Sequence, residues 1–358
     1  MGSSLGASVS VPLIAIAAGL AMFGLFVLAI GQNPLEVMAV IFDGAFASAF
    51  SWQNTLLRAA PLMLTGLAVA IPAQVGLVMI GAEGTLALSG LAAAIAAVHA
   101  GGGAWSAGLA ALVAGAAAGA AWTALTGVLR AWRGMNETIA SLLLSYVAIA
   151  LFNHLVDGPL RDPASLNKPS TLPIGDAAMM GAIPGTDLHW GLAIGALAAI
   201  AAQVLVSRTP LGFAMRVAGG NVRAARLVGL PVQALLVLAC ALGGVASGLA
   251  GAIEVVAVHG AANASLLAGY GYTGILVAFI ARHQPLAVVP VAVLLGGISA
   301  AGSLLQRRLD LPDATTQVLQ GLLFVAILAS ESLHGRLNWR VRPVRTRPAL
   351  ADGPAGPA

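Results

Sequence analysis

The sequence predicts an all-α, polytopic helical membrane protein with about ten transmembrane spans. Three observations predict it. Hydrophobic residues fill 59% of the 358 positions, charged residues only 8%, and apolar runs of about 18 residues or more recur along the chain. A soluble chain carries roughly a quarter of its residues as charges. A helix needs about 20 apolar residues to cross the hydrocarbon core, and it satisfies its own backbone polar groups there.

The first run, Ser10–Ile30, has no basic residues before it and reads as a retained span rather than a cleaved signal peptide. Gly31–Gln53 contains PLEVMAVIFDGAF, the pattern of an amphipathic helix lying along the interface. Spans are then expected at about 54–73, 81–100, 106–129 and 136–156. Asp157–Leu188 is rich in Pro, Asp and Gly and predicts a structured external loop. A span at 188–206 leads into the basic segment Ser207–Pro231, and 232–256 follows. The run 268–281 is short for a bilayer and suggests a broken or partial span; 286–304 and 314–332 complete the set. Residues 1–333 thus form one transmembrane domain. The tail 334–358 is basic and cytoplasmic, with disorder expected beyond Arg347.

Gly115-x3-Gly119 and Gly244-x3-Gly248-x2-Gly251 present small-residue faces that let helices approach closely. The stretches VMIGAEGTLALSGLAAA and LLAGYGYTGILVAFIA echo each other weakly, each a glycine-punctuated turn leading into a span. Their expected directions are opposite, as in an inverted repeat.

Charge bias fixes the orientation. With the N-terminus inside, the cytoplasmic segments hold twelve of the seventeen basic residues and the outer side five: Arg58, Arg161, Lys168, Arg307 and Arg308. The positive-inside rule places both termini and Ser207–Pro231 in the cytoplasm. The pI near 10.0 therefore reflects topology. No aromatic-interleaved basic patch argues for nucleic acid.

Ser207–Pro231 carries Arg208, Arg216, Arg223 and Arg226. Within it, Asn221 is an N-cap and Gly229 with Pro231 a stop, so a short helix is bounded at both ends. Arg223 and Arg226, three apart, share a face. A capped cationic helix beside a membrane bundle is suited to docking on a partner.

The only lysine, Lys168, lies in AsnLysPro on the outer side, so a GxxxxGK[ST] phosphate loop is excluded. The six histidines show no HxxxH or HExxH spacing, there is no GxSxG elbow, and Cys240 alone cannot form a disulfide framework. No catalytic centre and no metal site are expected. The sparse membrane acids are Glu83, Glu137 and Glu254. Asn136–Glu137 reads either as helix-start chemistry or as a pathway pair. Glu83 opens a span after the apolar QVGLVMI, which could carry the chain back into the membrane first. Glu254, near an outer span end, is expected to snorkel to solvent. Tyr270 and Tyr272 read as interface anchors or as pathway residues.

MIGAEGTLALSG, MNETIASLLLSYVA, TPLGFAMRVAGGNVRAARLVGL and GYGYTGILVAFIARHQPLAVV occur in order. Together they resemble the permease subunits of ABC importers for purine nucleosides and simple sugars, which are related to ribose-type and branched-chain amino-acid permeases. The resemblance runs from about Leu56 to Glu331 and implies the ABC importer permease fold in a bacterial plasma membrane. It implies that Asn221, Arg223, Arg226 and Gly229 belong to the helix that couples to the ATPase. It also implies that Gly81, Glu83, Gly84, Asn136, Glu137, Tyr270 and Tyr272 lie along the translocation pathway. Met79 and Gly220 depart from the asparagine and glutamate common at these positions. The partners implied are an ABC ATPase subunit that binds the ATP, a second, shorter permease and an extracytoplasmic binding protein or lipoprotein. The chain itself would hold no cofactor.

Overall fold

The computed structural model describes the backbone of residues 4–100 and 104–337 and the side chains of residues 14–100 and 105–330. The predicted tail beyond Leu337, with Arg340, Arg342, Arg345 and Arg347, lies outside the described residues. Helix α1 (Ser4–Ala29) is followed by α2 (Pro34–Phe46), turned by 116°. Asn33 caps α2 by accepting from the Leu35 N–H, with Pro34 at the first helical position. Its Val37, Val40 and Ile41 recur at helical spacing and are buried against α12, the face expected of an interfacial helix.

Helix α3 (Ala49–Ala73) is nearly all buried because α7, α10, α11 and α12 surround it. After a turn at Gln74–Gly76 the chain runs without helix to Gly81, and α4 (Ala82–His99) begins. Helices α5 (Ala104–Arg133) and α6 (Glu137–Asp157) follow. The external loop is structured, as expected. It lies along residues 260–263, with the Thr171 N–H donating to the Ala262 carbonyl at 3.0 Å and the Ile174 N–H to that of Gly260 at 2.9 Å.

Helix α7 (Gly191–Arg208) runs into two short helices, α8 (Pro210–Gly220) and α9 (Val222–Leu227). Helix α10 (Val232–Ile253) is extended by one π-helical turn, Glu254–His259. Helices α11 (Tyr270–Ile280), α12 (Val288–Leu309) and α13 (Ala314–Leu337) close the bundle.

The closest helix packing follows the predicted glycines. A Cβ placed on Gly119 would overlap the Gly244 carbonyl oxygen, and one on Gly248 that of Gly115. Helices α5 and α10 thus meet backbone to backbone. A Cβ on Gly251 would overlap the Leu86 carbonyl oxygen of α4.

The span count needs correction. Among the described residues, seven helices are long and apolar enough to cross a membrane, or eight if α1 and α2 form one bent span. The count of about ten includes the run at 268–281, already suggestive of a broken or partial span, and the run at 314–332, whose helix is also not among the seven. Helix α11 has only 11 residues and starts inside the bundle after a non-helical lead-in, and the apolar part of α13 is short. Glu254 also departs from expectation. It is 3% exposed, does not snorkel, and pairs with His259 at 3.5 Å, because the π turn and the external loop enclose it.

A candidate translocation site between two helix starts

The site is built on residues 77–84 and 269–273, where α4 and α11 begin inside the protein. The 77–81 strand of chain has no helical partner for its backbone, and α6 supplies one. The Thr138 hydroxyl donates to the Val78 carbonyl at 3.0 Å, the Ser141 hydroxyl accepts from the Ile80 N–H at 3.1 Å, and the Ser145 hydroxyl accepts from the Gly84 N–H at 2.9 Å. Irregular backbone at membrane depth is tolerated only when enclosed by protein in this way. Gly81 and Gly84 carry no side chain because the α6 backbone occupies that space. A Cβ on Gly81 would lie 2.6 Å from the Ser141 carbonyl oxygen, and one on Gly84 would overlap that of Ser145.

Glu83 crosses from α4 to α11. It is 2% exposed, and its Oε1 accepts from the Gly269 N–H at 2.8 Å while Oε2 accepts from the Gly271 N–H at 2.6 Å. These are donors at the first turn of α11, which has no intrahelical acceptor for them. The carboxylate also sits at the positive end of the α11 dipole. Gly269 turns the chain into α11 with φ +85, a left-handed conformation open to glycine. Gly271 must be bare because a Cβ there would overlap the Glu83 backbone nitrogen. The starts of α4 and α11 are therefore tied by one buried acid.

Glu83→Gln tests this tie. The substitution keeps the shape but turns an NH2 toward one N–H donor, and losing a charge-assisted bond with a donor left unpaired costs about 1–3 kcal/mol. The expected result is a melting temperature lowered by several degrees and slower transport, with the protein still inserted. An unchanged melting temperature would show that the carboxylate does not hold α11.

Beside this junction lies a cavity of about 680 Å³ bounded by α3, α11, α12 and α13. Tyr270, Tyr272 and Thr273 line it from α11, Arg58 from α3, Ser299 from α12, and Asp313, Thr316, Gln320 and Phe324 from α13 and the turn before it. The Gln320 amide is fixed. Its Nε2 donates to the Ser299 hydroxyl at 2.8 Å and to the Leu295 carbonyl at 3.4 Å, while Oε1 accepts from the Thr273 hydroxyl at 3.2 Å. A carbonyl can only accept, so the amide orientation is set.

Among the predicted residues, Gly81, Glu83, Gly84, Tyr270 and Tyr272 come together at the junction, and the two tyrosines face the cavity. Asn136 and Glu137 do not line it. Asn136 caps α6 by accepting from the Ile139 N–H at 3.1 Å, and Glu137 pairs with Arg130 at 3.3 Å. Sequence reasoning missed Thr138, Ser141 and Ser145 as the staple. Hydroxyls repeating at three and four residues on an apolar helix were the available signal. Arg58 and Gln320 were missed too, Arg58 having been placed with the outer charges.

At the other end, Asn221 accepts from the Arg223 and Ala224 N–H groups at 3.0 and 3.1 Å, and Gly229 ends α9 with φ +80. Arg223 and Arg226 are exposed and Ala225 is buried beneath them. Helix α8 was not predicted as a separate element, although Thr209–Pro210 is a cap followed by proline. The Thr209 hydroxyl accepts from the Gly212 N–H at 3.0 Å. Helix α8 ends hard against the α3–α4 turn, where a Cβ on Gly219 would overlap the Gln74 carbonyl oxygen. The Gln74 side chain in turn donates to the His283 carbonyl at 2.9 Å, just after α11. Burial pushes the His283 imidazole below its ordinary pKa. The basic helices, the α3–α4 turn and the end of α11 thus form one contiguous contact.

Residues 51–328 match the family described as branched-chain amino acid transport system / permease component. The chain is 32% identical over 331 residues to the glucose ABC transporter permease protein TsgB13 of Haloferax volcanii, spanning 89% of this chain and 87% of that protein. It is 28% identical over 334 residues to the guanosine ABC transporter permease protein NupP of Bacillus subtilis, spanning 90% and 94%. With the nucleoside ABC transporter permease protein NupB of Lactococcus lactis it shares 26% over 306 residues, spanning 80% and 81%. A match over most of the membrane domain, with the helix-start junction and the basic helix pair inside the matched region, leads to one assignment: the chain belongs to this family and is a permease of an ATP-binding cassette transporter.

Proposed function

We propose that this permease forms the pathway of an importer for a nucleoside or a simple sugar, driven by ATP hydrolysed on a separate subunit. The observation that carries the reading is the cavity beside the helix-start junction, where hydroxyl, amide and aromatic side chains meet in an otherwise apolar bundle. Hydroxyls and amides match the donors and acceptors of a sugar ring, and the aromatic faces match a sugar's apolar face or a base. The relatives named for glucose, guanosine and nucleosides agree with that chemistry.

In this reading α8 and α9 lie in the cytoplasm and seat on the ATPase, with both termini on the same side of a bacterial plasma membrane. A second permease completes the pathway, and a binding protein delivers the solute to the external loop and α2. Closure of the ATPase moves the basic helices, and the bundle rocks between inward and outward access. Coexpression with the ATPase, second permease and binding protein, followed by reconstitution into vesicles, tests it. ATP-dependent accumulation of labelled guanosine or glucose is expected. Accumulation driven by an ion gradient without ATP would instead identify a secondary transporter.

A further inference from the structure

We propose that Arg58 makes the cavity a charge filter, accepting neutral or anionic solutes and rejecting cationic ones. The inference rests on the importer reading above and adds which solutes the pathway admits. Arg58 is the only basic residue among those lining the cavity. It lies fifteen residues from Ala73 at the inner end of α3, about 22 Å along the helix axis at 1.5 Å per residue. Helix α3 is itself one of the helices long and apolar enough to cross a membrane.

Arg58 makes no hydrogen bond and no ion pair with the described residues, whereas Arg130 and Arg308 at the surfaces do. Glu83 lies beneath the same wall, but its two oxygens are taken by the Gly269 and Gly271 N–H groups. Asp313 also lines the cavity and is exposed at the start of α13, yet forms no ion pair with Arg58. A half-buried arginine without an ion pair, lining a cavity within a membrane bundle, is poorly explained by stability alone. Its forked donors suit a solute that presents acceptors: ring nitrogens, carbonyls, hydroxyls or a carboxylate. A cationic solute meets a like charge in a medium of reduced dielectric and is excluded.

The test uses a matched series on one scaffold in the reconstituted complex: a transported nucleoside or sugar, its carboxylate derivative and its primary-amine derivative. Wild-type uptake should be inhibited by the neutral and carboxylate forms at concentrations roughly 10- to 100-fold lower than by the amine, the range expected for one like-charge contact of partial burial. Arg58→Gln should raise KM for the neutral solute and narrow the gap between amine and carboxylate to a fewfold, with all subunits still co-purifying. Arg58→Lys, which keeps the charge, should keep the gap. Equal inhibition by all three forms in the wild type, or an unaltered gap in Arg58→Gln, would overturn the proposal. Loss of co-purification in Arg58→Gln that Arg58→Lys restores would also overturn it, by assigning Arg58 to pairing with a neighbouring subunit. Failure of the importer reading looks different: the wild type would then accumulate none of the neutral solutes with ATP.

Discussion

Gly248→Leu abolishes stable folding of the bundle. Helices α5 and α10 form the most extensive helix contact of the protein, and Gly248 meets the Gly115 carbonyl with no room for a methyl group. Leucine at that position cannot turn aside, because the same face also meets Ala116. The helices must separate by more than an ångström over several turns, which also disturbs the neighbouring Gly119–Gly244 contact. Overpacking one core position costs about 1–3 kcal/mol and occasionally more. Here the cost is multiplied because dispersion between close backbones is the main attraction between helices in lipid. Alanine at the same position should give an intermediate loss. The measurement is the yield of monodisperse protein and its melting temperature in detergent or nanodiscs. A Gly248→Leu protein with wild-type melting would mean that α5 and α10 are not in this contact.

If α9 seats on the ATPase as proposed, exchanging both Arg223 and Arg226 for glutamate weakens that docking while leaving the permease folded. Asn221 caps α9 through backbone N–H groups that the exchange does not touch. Both arginines are exposed, so no internal contact is lost. A six-residue helix gains little stability by itself. Beside the arginines, Leu227 and Val228 are 88% and 71% exposed, an apolar pair ready for a partner. Two charge-assisted contacts of roughly 1–3 kcal/mol each would be replaced by like-charge repulsion against an acidic rim. Docking should weaken by about one to several powers of ten. Co-purification of the ATPase and substrate-stimulated ATP hydrolysis check this. If both survive, α9 is a linker, and the contact from Gly219 through Gln74 to His283 carries no ATP-driven motion.

Much of this protein was legible before any coordinates. Every long helix lies where an apolar run sits, because in lipid the backbone has no alternative to helix once a segment is long enough. Asn33, Asn136 and Asn221 were readable as caps from local chemistry, and all three accept from nearby N–H groups. The glycine seams of α5 and α10 were readable as close-packing faces, although the sequence did not say that they face each other. Helix α8 was also within reach, through the Thr209 cap and Pro210 at the first helical position.

The sequence by itself determined the class, the capped basic helix and the resemblance to a permease. These depend on composition, on interactions spanning a few residues and on ordered motifs. Only the tertiary structure decided the site. Glu83 meets Gly269 and Gly271 across more than 180 residues of chain; the short apolar run at 268–281 suggests a partial span but does not say that its helix starts on that acid. Arg58 reads as one more outer charge until α11, α12 and α13 close around it. Sequence periodicity reports which face of a helix is apolar; it does not report which distant element will fill, cap or leave open the space against that face. That is settled when the helices pack.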